Sequence, residues 1–196
     1  MLPGAVWLAA WDGDVDVIEE WLRDGDVSTT CDFGHTLLHL ACETKKNTAK
    51  ILRAVLAAGP DVNARNSNGD TPLHVAARTC IDSVAGALLL DHGADIDARD
   101  TDGCTALMIV NRGTAAHSPQ AHCAWMGCLV ARGARVDLRD HAGDDALKIA
   151  AASKWGLIGP GVVFRERQRL IDMSDEMIEM LHDVRAAGGT WQHFLR

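Results

Sequence analysis

Gly69-Asp70-Thr71-Pro72-Leu73-His74-Val75-Ala76-Ala77 decides the fold, because the chain writes this stretch again at a nearly fixed spacing. Gly34-His35-Thr36-Leu37-Leu38-His39-Leu40-Ala41-Cys42 precedes it by 35 residues, and Gly103-Cys104-Thr105-Ala106-Leu107-Met108-Ile109-Val110 follows it by 34. A fourth version, Gly143-Asp144-Asp145-Ala146-Leu147-Lys148-Ile149-Ala150-Ala151, begins 40 residues later still. A period in this range marks a chain of stacked units and overrides local readings of secondary structure.

A second string alternates with the first: Gly59-Pro60-Asp61-Val62-Asn63-Ala64, Gly93-Ala94-Asp95-Ile96-Asp97-Ala98 and Gly133-Ala134-Arg135-Val136-Asp137-Leu138. Upstream, Val6-Trp7-Leu8-Ala9-Ala10-Trp11-Asp12-Gly13 and Trp21-Leu22-Arg23-Asp24-Gly25 resemble the same unit without its leading turn. Five units result, over 1–30, 31–65, 66–99, 100–139 and 140–196.

Each string has a physical reading. Thr36, Thr71 and Thr105 stand where a helix N-cap is needed, and Pro72 takes the favoured first helical position. Small residues after them allow a short first helix to pack closely. The second helix carries Ile51, Leu52, Val55 and Leu56 in one unit and Leu88, Leu89 and Leu90 in the next. Gly59, Gly93 and Gly133 then stop it in the left-handed conformation. Polar stretches at 64–69 and 98–103 suit a β-turn. Two such small helices cannot bury an apolar face alone, so neighbouring units must stack.

These strings resemble the ankyrin repeat, with the third unit nearest the family pattern. The resemblance implies a single all-α domain over 1–196, a solenoid of helix-turn-helix units joined by β-turn or hairpin connections. It also implies that His39 and His74 join a hydrogen-bond network between repeats. Leu37 and Ala106 depart from the pattern at the proline, Met108 and Lys148 at the histidine, and Asp145 at the threonine, where aspartate is also a good cap. The network is therefore expected to weaken toward the C-terminus. The first and last units read as caps, with Trp191 and Phe194 placed to cover the final end.

Units differ in length between their paired helices, with insertions at 111–124 and 153–173. Such insertions often mark a binding face. The first carries His117, His122 and Cys123, with Cys128 just beyond. These residue types suit zinc, although neither spacing nor pairing matches an established module. A metal- or ligand-binding sensor built from the two inserted loops is the alternative function. The second insertion holds Arg165-Glu166-Arg167-Gln168-Arg169, which reads as a receiver for an acidic partner or as a solvated helix face. Ser174, Asp175 and Glu176 read as the cap and acidic first turn of a final helix.

Composition narrows the function classes. A net charge of −8 disfavours a broad surface for nucleic acid, which needs clustered Lys and Arg. No uncharged apolar run reaches the length of a membrane span, and Met1–Trp11 lacks the basic flank of a signal peptide. Six cysteines without any C-x-x-C pair suggest reduced thiols in the cytosol or nucleus. No Gly-rich phosphate loop, G-x-S-x-G or H-E-x-x-H occurs, so neither an enzyme nor a cofactor is expected.

The expected function is protein binding, as an adaptor, scaffold or inhibitor that is monomeric by itself. The resemblance places partner contacts at the hairpin tips and the exposed ends of the first helices. These positions are Asp32, Phe33, His35, Glu43 and Thr44, then Ser67, Asn68, Asp70, Arg78 and Thr79, then Thr101, Asp102, Cys104 and Arg112. Trp11 and Phe33 are the sharpest picks, since exposed large aromatics make binding hot spots; packing against the first cap and the next turn is their alternative. Arg65, Arg99 and Arg139 recur before the turns, either as a ladder for a partner or as internal pairs of Asp32, Asp100, Asp102 and Asp140. Trp7, Trp21 and Trp125 sit in core register and read as packing residues.

Overall fold

Thr36, Thr71, Thr105 and Asp145 each stand immediately before a helix, as the capping argument requires. The Thr105 hydroxyl accepts from the Met108 amide at 3.4 Å, and the Asp145 carboxylate from the Lys148 amide at 2.9 Å. The computed structural model behind these distances describes residues 1–79, 83–112, 119–153, 175, 178–186 and 188. The chain divides into two compact units, Met1–Asp95 and Ile96–Arg196. Among the described residues both are helical, with isolated bridges at Thr30–Thr36 and Arg139–Asp145 instead of strands.

The first unit holds three helix pairs. They are α1 (Gly4–Asp12) with α2 (Val15–Asp24), α3 (Leu37–Glu43) with α4 (Thr48–Ala57), and α5 (Pro72–Thr79) with α6 (Ser83–Asp91). First helices pack on first helices, α1 on α3 and α3 on α5, while α2 meets α4 and α4 meets α6. The core follows from that stacking: Ala10, Ile18, Leu37, Leu38, Ile51, Leu52, Leu73 and Leu89 are all fully buried. Each of the larger side chains contributes roughly 1.5–3 kcal/mol by leaving water. Of the leucine triplet at 88–90 only Leu89 is buried and its neighbours are half-buried, since three consecutive residues span about 200° of a helix.

The second unit contains α7 (Ala106–Asn111), α8 (Pro119–Ala131), α9 (Ala146–Ser153) and helical residues 178–186. Its core includes Leu107, Met108, Trp125, Met126, Leu129, Leu147, Leu181 and Val184. The expected insertion at 111–124 is shorter than the sequence suggested, since Asn111 closes α7 and helix resumes at Pro119. Residues 113–118 and 154–174 lie outside the described residues, as do Glu176, Trp191 and Phe194, so the inserted loops' tips and the aromatic lid are not placed.

Turns between pairs repeat one hydrogen-bond design. The Asn66 side-chain oxygen accepts from the amides of Asn68 and Asp70, both at 2.9 Å. Asp100 does the same for Asp102 and Cys104 at 2.9 and 2.8 Å, and Asp140 holds the Asp144 amide at 2.8 Å. Each turn needs a glycine at positive φ, for example Gly69 at 71°. Adjacent turns are tied by Ser67 N–H to the Phe33 carbonyl at 3.0 Å in the first unit and by His141 N–H to the Asp102 carbonyl at 2.9 Å in the second.

Gly25 ends α2 at a φ of −80°, outside the left-handed region that Gly59, Gly93 and Gly133 occupy. Glycine is required there for space: a Cβ would fall 2.4 Å from the Trp21 ring. Trp7, read as a packing residue, is 38% exposed, whereas Trp125 is fully buried as expected.

Candidate functional site

The repeat register places Trp11, Glu43 and Arg78 at the same position of α1, α3 and α5, one turn beyond Trp7, His39 and His74. Because α1, α3 and α5 stack in that order, one row along the first unit runs from indole to carboxylate to guanidinium. Trp11 is 56% exposed, Arg78 is exposed and Glu43 is half-buried. A cleft beside the row is lined by Trp11, Asp12, Glu43, Lys45 and Lys46. At the turn tip, Phe33 is 74% exposed, the most open aromatic among the described residues.

Other expected contact residues also make contacts within the fold. Asp70 is fully buried, and its carboxylate takes both Arg78 hydrogen bonds at 2.9 Å. Asp70 therefore holds Arg78 in place and is not itself presented to a partner, a correction to its expected exposure. Thr44 and Cys104 are buried as well. Thr79 is half-buried, and its hydroxyl donates to the Cys42 carbonyl of the preceding repeat at 3.1 Å. His35 is half-buried between the Asn66 side chain, 3.0 Å away, and the ring of His39. In the second unit, Asp102 is exposed at its tip, while Arg112, 46% exposed, reaches the buried Asp140 at 2.5 Å.

The histidine link is made as expected at His39. Its Nδ1 accepts the Thr36 amide at 3.2 Å, so Nε2 carries the proton and donates to the Asp70 carbonyl at 3.0 Å, joining two repeats. Burial drives its pKa down from 6.5 to about 4, against the smaller opposing effect of the Asp70 carbonyl. His74 repeats the local half, its Nδ1 lying 3.1 Å from the Thr71 amide. His39 is therefore neutral and committed near pH 7, a structural pin and not a proton shuttle.

The recurring arginines pair internally with turn carbonyls, and Arg139 also lies 3.5 Å from the Asp145 carboxylate. Arg65 donates to Gly69 at 2.9 Å, Arg99 to Gly103 at 3.0 Å and Arg139 to Gly143 at 2.7 Å. Each guanidinium closes its own turn. Residue type alone did not reveal these acceptors, because the carbonyl of the left-handed glycine four residues on is a backbone group.

Chemistry requiring a reactive thiol is unsupported at the buried cysteines. Burial raises the Cys42 thiol well above its ordinary range and the Cys104 thiol to about 11, leaving both protonated near neutral pH. His122, Cys123 and Cys128 lie on α8, not in a loop, and are half-buried. Among the described residues no three His, Cys, Asp or Glu side chains converge as a metal site; His117 lies outside them. Among the same residues, no helix is long and apolar enough to cross a membrane.

Comparison with known proteins agrees with this geometry. A family model described as ankyrin repeats in three copies matches residues 6–100 and, overlapping them, 50–114. An ankyrin repeat-containing protein of Schizosaccharomyces pombe is 29% identical over 54% of this chain and 49% of its own length. The mouse RelA-associated inhibitor is 38% identical over 50% of the chain and 12% of its own length. Human B-cell lymphoma 3 protein is 51% identical over 34% of the chain and 15% of its own length. The chain thus spans half or less of these relatives.

Proposed function

Because the chain belongs to the ankyrin-repeat family, whose repeats mediate protein–protein interaction, we propose that it is a non-catalytic module serving as adaptor, scaffold or inhibitor. It grips a partner protein with the exposed ends of its first helices and with its turn tips. The carrying observation is the exposure of Trp11 and Phe33, at a helix end and a turn tip of one compact unit. Aromatics of this size left in water are characteristic of interaction surfaces, where their burial supplies much of the binding energy. Arg78 and Glu43 share the row with Trp11 and provide the polar rim that fixes orientation.

Affinity purification from the source cell, followed by mass spectrometry, tests the proposal. A stoichiometric protein partner is expected. Its recovery should fall at least about tenfold with Trp11→Ala or Phe33→Ala, the size of effect that hot-spot residues carry. Recovery of nothing above background, or of a partner indifferent to both substitutions, refutes this assignment of the surface.

A further inference from the structure

Trp7 and Trp11 lie one turn apart on α1 with ring centroids 6.0 Å apart and planes 10° from parallel. Between them Leu8 is 55% exposed. In the next two repeats the place of Leu8 is taken by Leu40 and Val75, exposed by only 5% and 2%, and that of Trp7 by the fully buried His39 and His74. What later repeats cover, the first leaves open as an apolar surface of two stacked indoles and a leucine.

Charge around that face indicates its occupant. Within residues 1–30 stand Asp12, Asp14, Asp16, Glu19, Glu20, Asp24 and Asp26 against Arg23 alone. Asp14 is used as the cap of α2 and Asp26 holds Ser28. Among the described residues, Asp12, Asp16, Glu19, Glu20 and Glu43 form no ion pair. Asp12 and Glu43 border Trp11 in the cleft, with Lys45 and Lys46 on the same lining.

We propose that the Trp7–Trp11 face docks a basic segment of a partner protein, with an arginine stacked on the indoles and its N–H groups donated to Asp12 and Glu43. A planar guanidinium is weakly hydrated and stacks on aromatic rings, so it satisfies platform and carboxylates together. Apolar residues flanking it cover Leu8. This inference rests on the reading of the chain as a protein-binding module and specifies the chemistry of what it binds. Lys45 and Lys46 oppose such a ligand, so they limit its affinity.

Fluorescence anisotropy on the full chain tests the site with a labelled peptide of alternating arginine and leucine, and with its glutamate-for-arginine counterpart. The arginine peptide should bind and the glutamate peptide should not. Binding should weaken about tenfold with Trp7→Ala or Trp11→Ala. Asp12→Lys with Glu43→Lys should also weaken it, whereas Lys45→Glu with Lys46→Glu should tighten it; these surface reversals keep the test decisive if an alanine variant fails to fold. Equal binding of both peptides, or arginine binding indifferent to the indoles and the charge reversals, overturns the proposal. A cellular partner captured through Phe33 but unaffected by Trp7→Ala and by the reversals would remove this site while leaving the protein-binding function standing. Indole-dependent peptide binding with no protein captured would remove that function instead.

Discussion

His39 shows how one side chain couples repeats and sets a pH limit. Its imidazole receives the Thr36 amide and donates to the Asp70 carbonyl, an arrangement available only to the neutral ring. With a folded pKa near 4 against an ordinary 6.5, the unfolded chain binds a proton that the folded chain refuses. The stability this residue contributes is complete above pH 6.5 and is lost as pH falls toward 4. The loss amounts to about 3 kcal/mol across the window at ~1.4 kcal/mol per pH unit. His39→Gln should lower the urea midpoint at pH 7 but flatten its fall between pH 7 and 5. Parallel pH profiles for the two proteins would show that His39 is not the titrating pin.

At the scale of the turn, the chain has already tested one substitution. The position that is asparagine at 66 is aspartate at 100 and 140, and all three accept backbone amides through one oxygen. Asn66→Asp should therefore cost under about 1 kcal/mol, its main loss being the contact with His35. Asn66→Ala should cost about 1–3 kcal/mol by leaving the buried Asp70 amide unpaired. Equal melting temperatures for the two variants would deny the turn this role. Elements governed by neighbours in sequence were the legible ones: the caps at Thr36, Thr71, Thr105 and Asp145 and the stop glycine Gly59 were all readable from residue type. What escaped depends on neighbours in space. Asp70 looked like an exposed tip until Arg78 came round to meet it, and Trp7 looked like core from its helical register alone, although it is 38% exposed. Nothing in the apolar pattern of Asn111 to Ala124 revealed that α8 starts at Pro119, since helix and insertion share the same small and polar residues. Phe33 and Trp11, by contrast, were found from position alone and are exposed as expected.

For the whole molecule, electrostatics and stacking act at different ranges. Stability is summed over repeat and interface terms, so Leu73→Ala, in a fully buried site of the first unit, should cost about 2–5 kcal/mol in urea unfolding. Leu8→Ala, at an exposed site, should stay within about 0.5 kcal/mol. Net charge of −8 acts farther out, drawing basic surfaces until salt screens it beyond about 10 Å at 0.1 M. Partner capture should accordingly decline between low and moderate salt, and capture that rises with salt would point to an apolar contact alone. The turn tips also bear on chemical ageing. Asparagine sheds ammonia when the next residue's amide nitrogen attacks its side chain, and Asn68-Gly69 and Asn66-Ser67 are sequences prone to it. Here both attacking nitrogens are committed elsewhere, Gly69 to the Asn66 carbonyl and Ser67 to the Phe33 carbonyl. Folding thus preserves the asparagines, and isoaspartate at these two places would record time the chain had spent unfolded.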